Sequence, residues 1–151
     1  MHNQWIGRRV AMIAAVGLAA GCTATTHFSS TQPEAAIAVK ESTSTALPRS
    51  DEFSTTSFGN YEFKAEAEGF SPFYGILPLK FNGGYLALDI LFFAPAAFFN
   101  LREPFPFYEF DLEERVIRYK QKDPDAWIQY RPSPVEALRA QEYFDPAVAT
   151  P

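Results

Sequence analysis

Nucleophilic and metal-binding side chains are scarce in this chain. It holds one cysteine, Cys22, and two histidines, His2 and His27. A hydrolytic Ser-His-Asp or Cys-His set needs an imidazole within reach of its nucleophile. Zinc sites draw mainly on Cys and His. His2 lies in a leader and His27 in a segment that reads as a polar tether, so the folded part is expected to lack histidine. No catalytic residue, no metal ligand and no cofactor is therefore expected. Gly83-Gly84 is a bare doublet and reads as a turn, without the spacing of a phosphate-binding loop.

Carboxylates are the remaining source of chemistry. Asp111, Glu113 and Glu114 cluster, as do Asp123 and Asp125. Paired acids cleave glycosides when a fold sets them at a suitable separation. Both clusters fall in expected turns, where acids favour turn formation and solubility. Asp123-Pro124-Asp125 also lacks the regular ligand spacing of a calcium loop.

The region around Cys22 has the layout of an export signal. A polar start carrying Arg8 and Arg9 leads into the apolar run Val10 to Ala20, then small residues. That run is too short to span a bilayer core, which takes about 20 residues. It reads as a removable signal over residues 1–21. Leu18-Ala19-Ala20-Gly21-Cys22 resembles the lipobox of bacterial lipoproteins, with Ala19 where leucine is usual. The resemblance implies cleavage before Cys22, acylation of that cysteine and attachment to a membrane by lipid. Each buried methylene of such a chain contributes about 0.8 kcal/mol, and two or more chains anchor stably. Thr23, rather than aspartate, follows the cysteine; by the same resemblance this implies the outer membrane, with the domain facing the periplasm.

Charge narrows the partners. The formal net charge is −5, and removal of Arg8 and Arg9 with the leader moves it to −7. An acidic domain is poorly suited to nucleic acid or anionic headgroups, which reward Lys and Arg. With no second cysteine there is no internal disulfide, although an exported chain could carry one.

Patterning then supplies the elements. Residues 22–32, rich in Thr and Ser without apolar periodicity, read as a flexible tether. Ala35 to Val39 reads as a first strand, and residues 41–57 as loop with one edge strand near Phe53. Tyr61, Phe63, Ala65 and Ala67 alternate with Glu62, Lys64 and Glu66, the period of a half-buried strand. Phe73 to Phe81 is expected to be a strand, at an edge or bulged because of Pro78. Tyr85 to Phe99 is the most apolar stretch after the leader and reads as two short helical pieces around Pro95. Phe107–Asp111 and Val116–Tyr119 read as a hairpin turning at Leu112-Glu113-Glu114, with a last strand near Trp127. Ser133-Pro134-Val135-Glu136 is a capping box with proline at the first helical position, predicting a helix from Pro134 to about Phe144. Residues 33–145 are expected to form one domain, and 146–151 a loose tail.

Pro33-Glu34-Ala35-Ala36-Ile37-Ala38-Val39, Leu47-Pro48, Phe58-Gly59-Asn60-Tyr61-Glu62-Phe63 and Glu68-Gly69-Phe70 together resemble a PEGA-type domain. The similarity covers about Pro33 to Lys80. Ala35 stands in place of the namesake glycine, and the glycines expected before Pro48 are missing. The resemblance implies a β-sandwich without catalytic residues.

The expected fold is mainly β and sandwich-like, with a short apolar helical segment and a C-terminal helix; α+β is the alternative. Two features suggest a contact surface. Asp89 is the single charge between Gly83 and Asn100; buried, it would need a partner such as Lys80 or Arg102. Phe92, Phe93, Phe98 and Phe99 belong to an aromatic run whose exposure would mark a partner site. The expected function is a lipid-anchored, non-enzymatic binding or scaffolding module with an envelope protein as partner. The alternative is a structural or stress-related envelope lipoprotein without a defined ligand.

Overall fold

The computed structural model describes residues 23–54, 60–81 and 102–149. The chain is mainly β, as the alternating patterns predict. Its strands are β1 (Thr23–Ser30), β2 (Ala36–Val39), β3 (Thr45–Ala46), β4 (Arg49–Ser54), β5 (Glu62–Glu66), β6 (Phe73–Ile76), β7 (Leu79–Phe81), β8 (Arg102–Pro104), β9 (Phe107–Asp111), β10 (Val116–Lys120) and β11 (Ile128–Tyr130). Helices α1 (Pro134–Phe144) and α2 (Pro146–Ala149) follow.

Five strands form one sheet in the order β11-β10-β9-β1-β4, and four form a second in the order β3-β2-β5-β6. Strands β7 and β8 make a separate antiparallel ladder, pairing Leu79 with Pro104 and Phe81 with Arg102. The core lies between the two larger sheets. Phe28, Tyr108, Phe110 and Ile117 from the first meet Ile37, Val39, Phe63, Ala65 and Phe73 from the second. Ring contacts join the layers: Phe63 and Phe110 lie 5.1 Å apart, and Phe53 meets Tyr61 edge-on at 5.2 Å. Tyr108 is fully buried, and its hydroxyl donates to the Pro78 carbonyl and accepts from the Phe105 N–H.

Strand β1 corrects the expected tether. It pairs antiparallel with β4 and parallel with β9, so it is an interior strand of the five-stranded sheet. Thr26 and Phe28 are buried while Thr23, Thr25 and His27 are exposed, the alternation of a one-sided strand. β-branched threonine suits a pleated surface, so a Thr-rich segment need not be flexible once partners flank it. A parallel pair needs a long crossover; here the whole second sheet lies between Ser30 and Phe107.

Elsewhere the local signals translate directly. The hairpin forms as β9 and β10, with the turn over 112–115. The edge strand near Phe53 is β4. The strand expected over Phe73 to Phe81 is instead two strands parted at Leu77-Pro78, since proline cannot donate to a ladder. Helix α1 spans the predicted residues, and its capping box is complete: the Glu136 N–H donates to Ser133 Oγ at 3.3 Å and the Ser133 N–H to Glu136 Oε2 at 2.7 Å. The stretch Tyr85 to Phe99, read as two helical pieces, lies outside the described residues.

The C-terminal end is not loose over its described part. Helix α2 occupies Pro146–Ala149, and Asp145 before it is clamped to the second sheet. Its Oδ2 accepts from Tyr74 Oη at 2.7 Å and from Lys64 Nζ at 2.9 Å. The Tyr74 and Lys64 bonds lower the Asp145 pKa. The same bond, foremost among its causes, raises Lys64. Burial, then the Asp145 bond, pushes Tyr74 up to about 12. A carboxylate held below its ordinary pKa, about 3.9 for aspartate, stabilises fully above that value and loses the effect as pH falls through the lowered one. Acidification from pH 6 to about 3 should therefore free α1 and α2 amides to hydrogen exchange. Asp145→Asn should show faster exchange at neutral pH and a flatter acid limb. An unchanged acid limb in that variant would show the clamp to be incidental.

Candidate binding groove

Strand register builds a row of side chains across the outer face of the five-stranded sheet. Ser50 on β4 is opposite His27 on β1, His27 is opposite Phe107 on β9, and Phe107 is opposite Lys120 on β10. Such partners point to the same face, with strands about 4.8 Å apart. The row therefore spans about three strand spacings, roughly 14 Å. Trp127, in the loop before β11, extends it.

Each side chain in the row touches the next. His27 Nδ1 lies 2.7 Å from Ser50 Oγ. Its ring stacks on Phe107 with centroids 5.1 Å apart and planes at 24°. Lys120 Nζ sits 5.3 Å from the centre of the Phe107 ring and 4.5 Å from that of Trp127. It also donates to the Asp123 carbonyl at 2.7 Å and to Asp123 Oδ1 at 2.9 Å. The ammonium is thus enclosed by two rings and an acid, which fixes the loop carrying Trp127 against the sheet. The indole remains 39% exposed.

These residues line a groove of about 430 Å³, with Pro48 and Arg49 on its wall. Arg49 pairs with Asp51 at 2.6 Å and lies over the Phe28 ring. Its side chain is nine-tenths buried on the core side with Phe28, and among the described residues its Nε has no hydrogen-bond partner. Both cations of the groove are thus neutralised in place, Arg49 by Asp51 and Lys120 by Asp123.

The groove overturns one expectation. His27 belongs to the folded domain, because β1 does. Its contact with Ser50 brings an imidazole to a hydroxyl, as a hydrolytic triad does, but through Nδ1, the nitrogen a triad turns to its acid. Among the described residues no carboxylate bonds the imidazole to orient it, and the two nearby acids are spent on Arg49 and Lys120.

The expected carboxylate clusters resolve into structural roles. Asp111 and Glu109 hold Arg118 at 2.9 and 2.7 Å. Burial tends to raise the Asp111 pKa, but bonds from the Glu114 N–H, Gln32 and Arg118 outweigh it, and the carboxyl is held below its usual range. Glu113 and Glu114 are exposed in the turn. Asp123 serves Lys120, and Asp125 accepts from the Lys122 N–H at 2.9 Å.

A second hollow, of about 500 Å³, lies beside α1 and includes Tyr119, Tyr130, Glu136 and Arg139. Its acid is occupied by the capping box and by the Tyr130 hydroxyl. Burial, then that bond, pushes Tyr130 up to about 12.

Of the residues singled out from the sequence, Cys22, Asp89, Phe92, Phe93, Phe98 and Phe99 lie outside the described residues. Lys80, one expected partner of Asp89, pairs with Glu103 at 2.9 Å. The described end of the aromatic run divides by strand parity. Phe110 is core, Phe105 packs on Tyr119 at 4.4 Å, and Phe107 forms the groove floor. Sequence reasoning missed His27, Ser50 and Lys120 as neighbours. The one local signal was the weak alternation of Thr26 and Phe28 with Thr25 and His27.

No family model matches the chain, and no curated protein or solved structure is similar to it at a significant level.

Proposed function

We propose that this protein is a lipid-anchored envelope lipoprotein, held at the outer membrane and facing the periplasm, that acts as a non-enzymatic binding module. The reading is supported by the lipobox-like run ending at Cys22 and by the groove, part of which is carried on β1 shortly after that cysteine. An acyl anchor on Cys22 would be joined to an interior strand with no intervening linker. His27 stands five residues from that cysteine, roughly 17 Å at about 3.3 Å per residue. The groove would then be carried close to the lipid surface and at high local concentration there. Its neutralised cations, aromatic floor and an imidazole that no acid among the described residues bonds suit recognition better than bond cleavage. The aromatic residues Phe92, Phe93, Phe98 and Phe99, with Asp89, form a second proposed contact, for an envelope protein partner.

Detergent phase partition of the full-length protein, with intact mass, tests the anchor. The mature chain should begin at an acylated Cys22 and enter the detergent phase. Cys22→Ser should abolish acylation, so its intact mass should lack the acyl chains. A chain that starts elsewhere, or a Cys22→Ser protein that partitions and weighs as an acylated one, would overturn the reading. In-cell crosslinking of the acylated protein tests the binding role. One dominant partner, lost when Phe98 and Phe99 are made polar in a folded domain, supports it. Recovery of only abundant bystander lipoproteins favours a structural or stress-related lipoprotein.

A further inference from the structure

We propose that the groove over Ser50, His27, Phe107, Lys120 and Trp127 binds a neutral, unbranched oligosaccharide. This goes beyond the binding role above by naming a ligand class, and it rests on the groove rather than on the anchor.

Charge is the first discriminator. A phosphate or carboxylate ligand calls for unspent cations, whereas Lys120 is committed to Asp123 and Arg49 to Asp51. A cationic ligand calls for unspent acids, and the same two pairs consume them. What the groove offers is balanced: hydroxyl and imidazole at Ser50 and His27, and the exposed carboxylate of Asp123, whose one oxygen already serves Lys120. Hydroxyl groups of a sugar both donate and accept, so they match mixed polar groups without demanding net charge.

Aromatic surface is the second discriminator. Trp127 is packed on Lys120 yet 39% exposed. The negative face of an indole ring attracts the polarised C–H groups on the flat face of a pyranose, by the same ring quadrupole that attracts cations. Lys120 fixes the ring in place, so little conformational freedom is lost on binding. A wholly apolar ligand would strip water from the remaining lone pairs and protons of Ser50, His27 and Asp123 and give nothing back, which is costly. The row of about 14 Å across the strands accommodates a few linked sugar rings.

The test uses the full-length, acylated protein in a zwitterionic detergent that carries no sugar, with cellotriose, chitotriose and maltotriose as probes. Trp5 leaves with the leader, so emission in the mature chain reports Trp127 alone; intact mass confirms that removal separately. At least one trisaccharide should give a saturable emission change, and a matching titration heat, with a Kd of about 1 mM or tighter. By titration calorimetry, Trp127→Ala should weaken binding at least about tenfold. Trp127→Phe, which keeps a ring over Lys120, should lose only a few-fold, and its native far-UV circular dichroism would separate lost stacking from lost folding. Absence of heat with all three trisaccharides overturns the proposal. So does equal binding by a folded Trp127→Ala, or tighter binding of glucose 6-phosphate than of every neutral probe.

Discussion

Replacing Phe28 by alanine should lower the unfolding free energy by about 3–5 kcal/mol, the usual cost of emptying an aromatic core position. A residue in a flexible tether would change it by less than about 0.5 kcal/mol. Phe28 is 1% exposed and is surrounded by rings. It stacks on Tyr108 at 5.6 Å, meets Phe53 edge-on at 6.0 Å and lies 6.1 Å from Phe110. Those neighbours sit on β4 and β9, the two strands that β1 joins. The cavity would therefore open where the sheet is stitched together, and rigid rings collapse into it poorly. Urea denaturation followed by far-UV circular dichroism gives the number. A loss under about 1 kcal/mol would mean that β1 is not an integral part of the sheet. The result also bears on function, because β1 carries His27 and leads directly from Cys22.

A second large effect should follow from one added methyl group. Gly75 lies on β6, between the second sheet's core and the chain leading into α1. A Cβ built there would stand 2.6 Å from Pro132 Cγ and 2.7 Å from Phe63 Cε1. Neither neighbour yields easily: one is a closed ring and the other is fully buried in the core. Gly75→Ala should cost about 1–3 kcal/mol or more through overpacking. Part of that cost should show as weaker docking of α1, whose Ala140 is fully buried. Thermal unfolding, combined with hydrogen exchange of α1 amides, separates the two contributions. A folded variant with unaltered melting temperature and exchange would show that Pro132 can withdraw freely.

Local chemistry made much of this molecule legible. Strict alternation at Tyr61, Phe63 and Ala65 marked β5, because a strand with one buried face repeats every two residues. Acids at the turn between β9 and β10 and the Ser133–Glu136 box marked their elements, because turns and caps are satisfied by neighbours a few residues away. Pro78 marked an edge or a bulge for the same local reason, though the full break into β6 and β7 was not read from it. The lipobox-like run at Cys22 and the acidic balance were likewise readable without any fold.

Pairing between distant segments was decided only in three dimensions. Residues 23–30 have a small inward position at Ala24 and a polar one at Thr26, so their apolar signal is nearly absent; they become an interior strand because β4 and β9 supply both rows of hydrogen bonds. Register then sets Ser50, His27, Phe107 and Lys120 on one line, although 93 positions separate His27 from Lys120 in the chain. No local pattern encodes that line, since a one-residue slip in any ladder would send a whole strand's side chains to the opposite face. The same long-range contacts made Asp145, the last residue of the expected domain, a clamp on Lys64 and Tyr74. The sequence by itself determined which segments could be strands, turns and helix, because propensity, capping and periodicity act between near neighbours. Only the tertiary structure decided which strands lie side by side, and hence which side chains meet in the groove, because that choice rests on burying both sheets against a shared core.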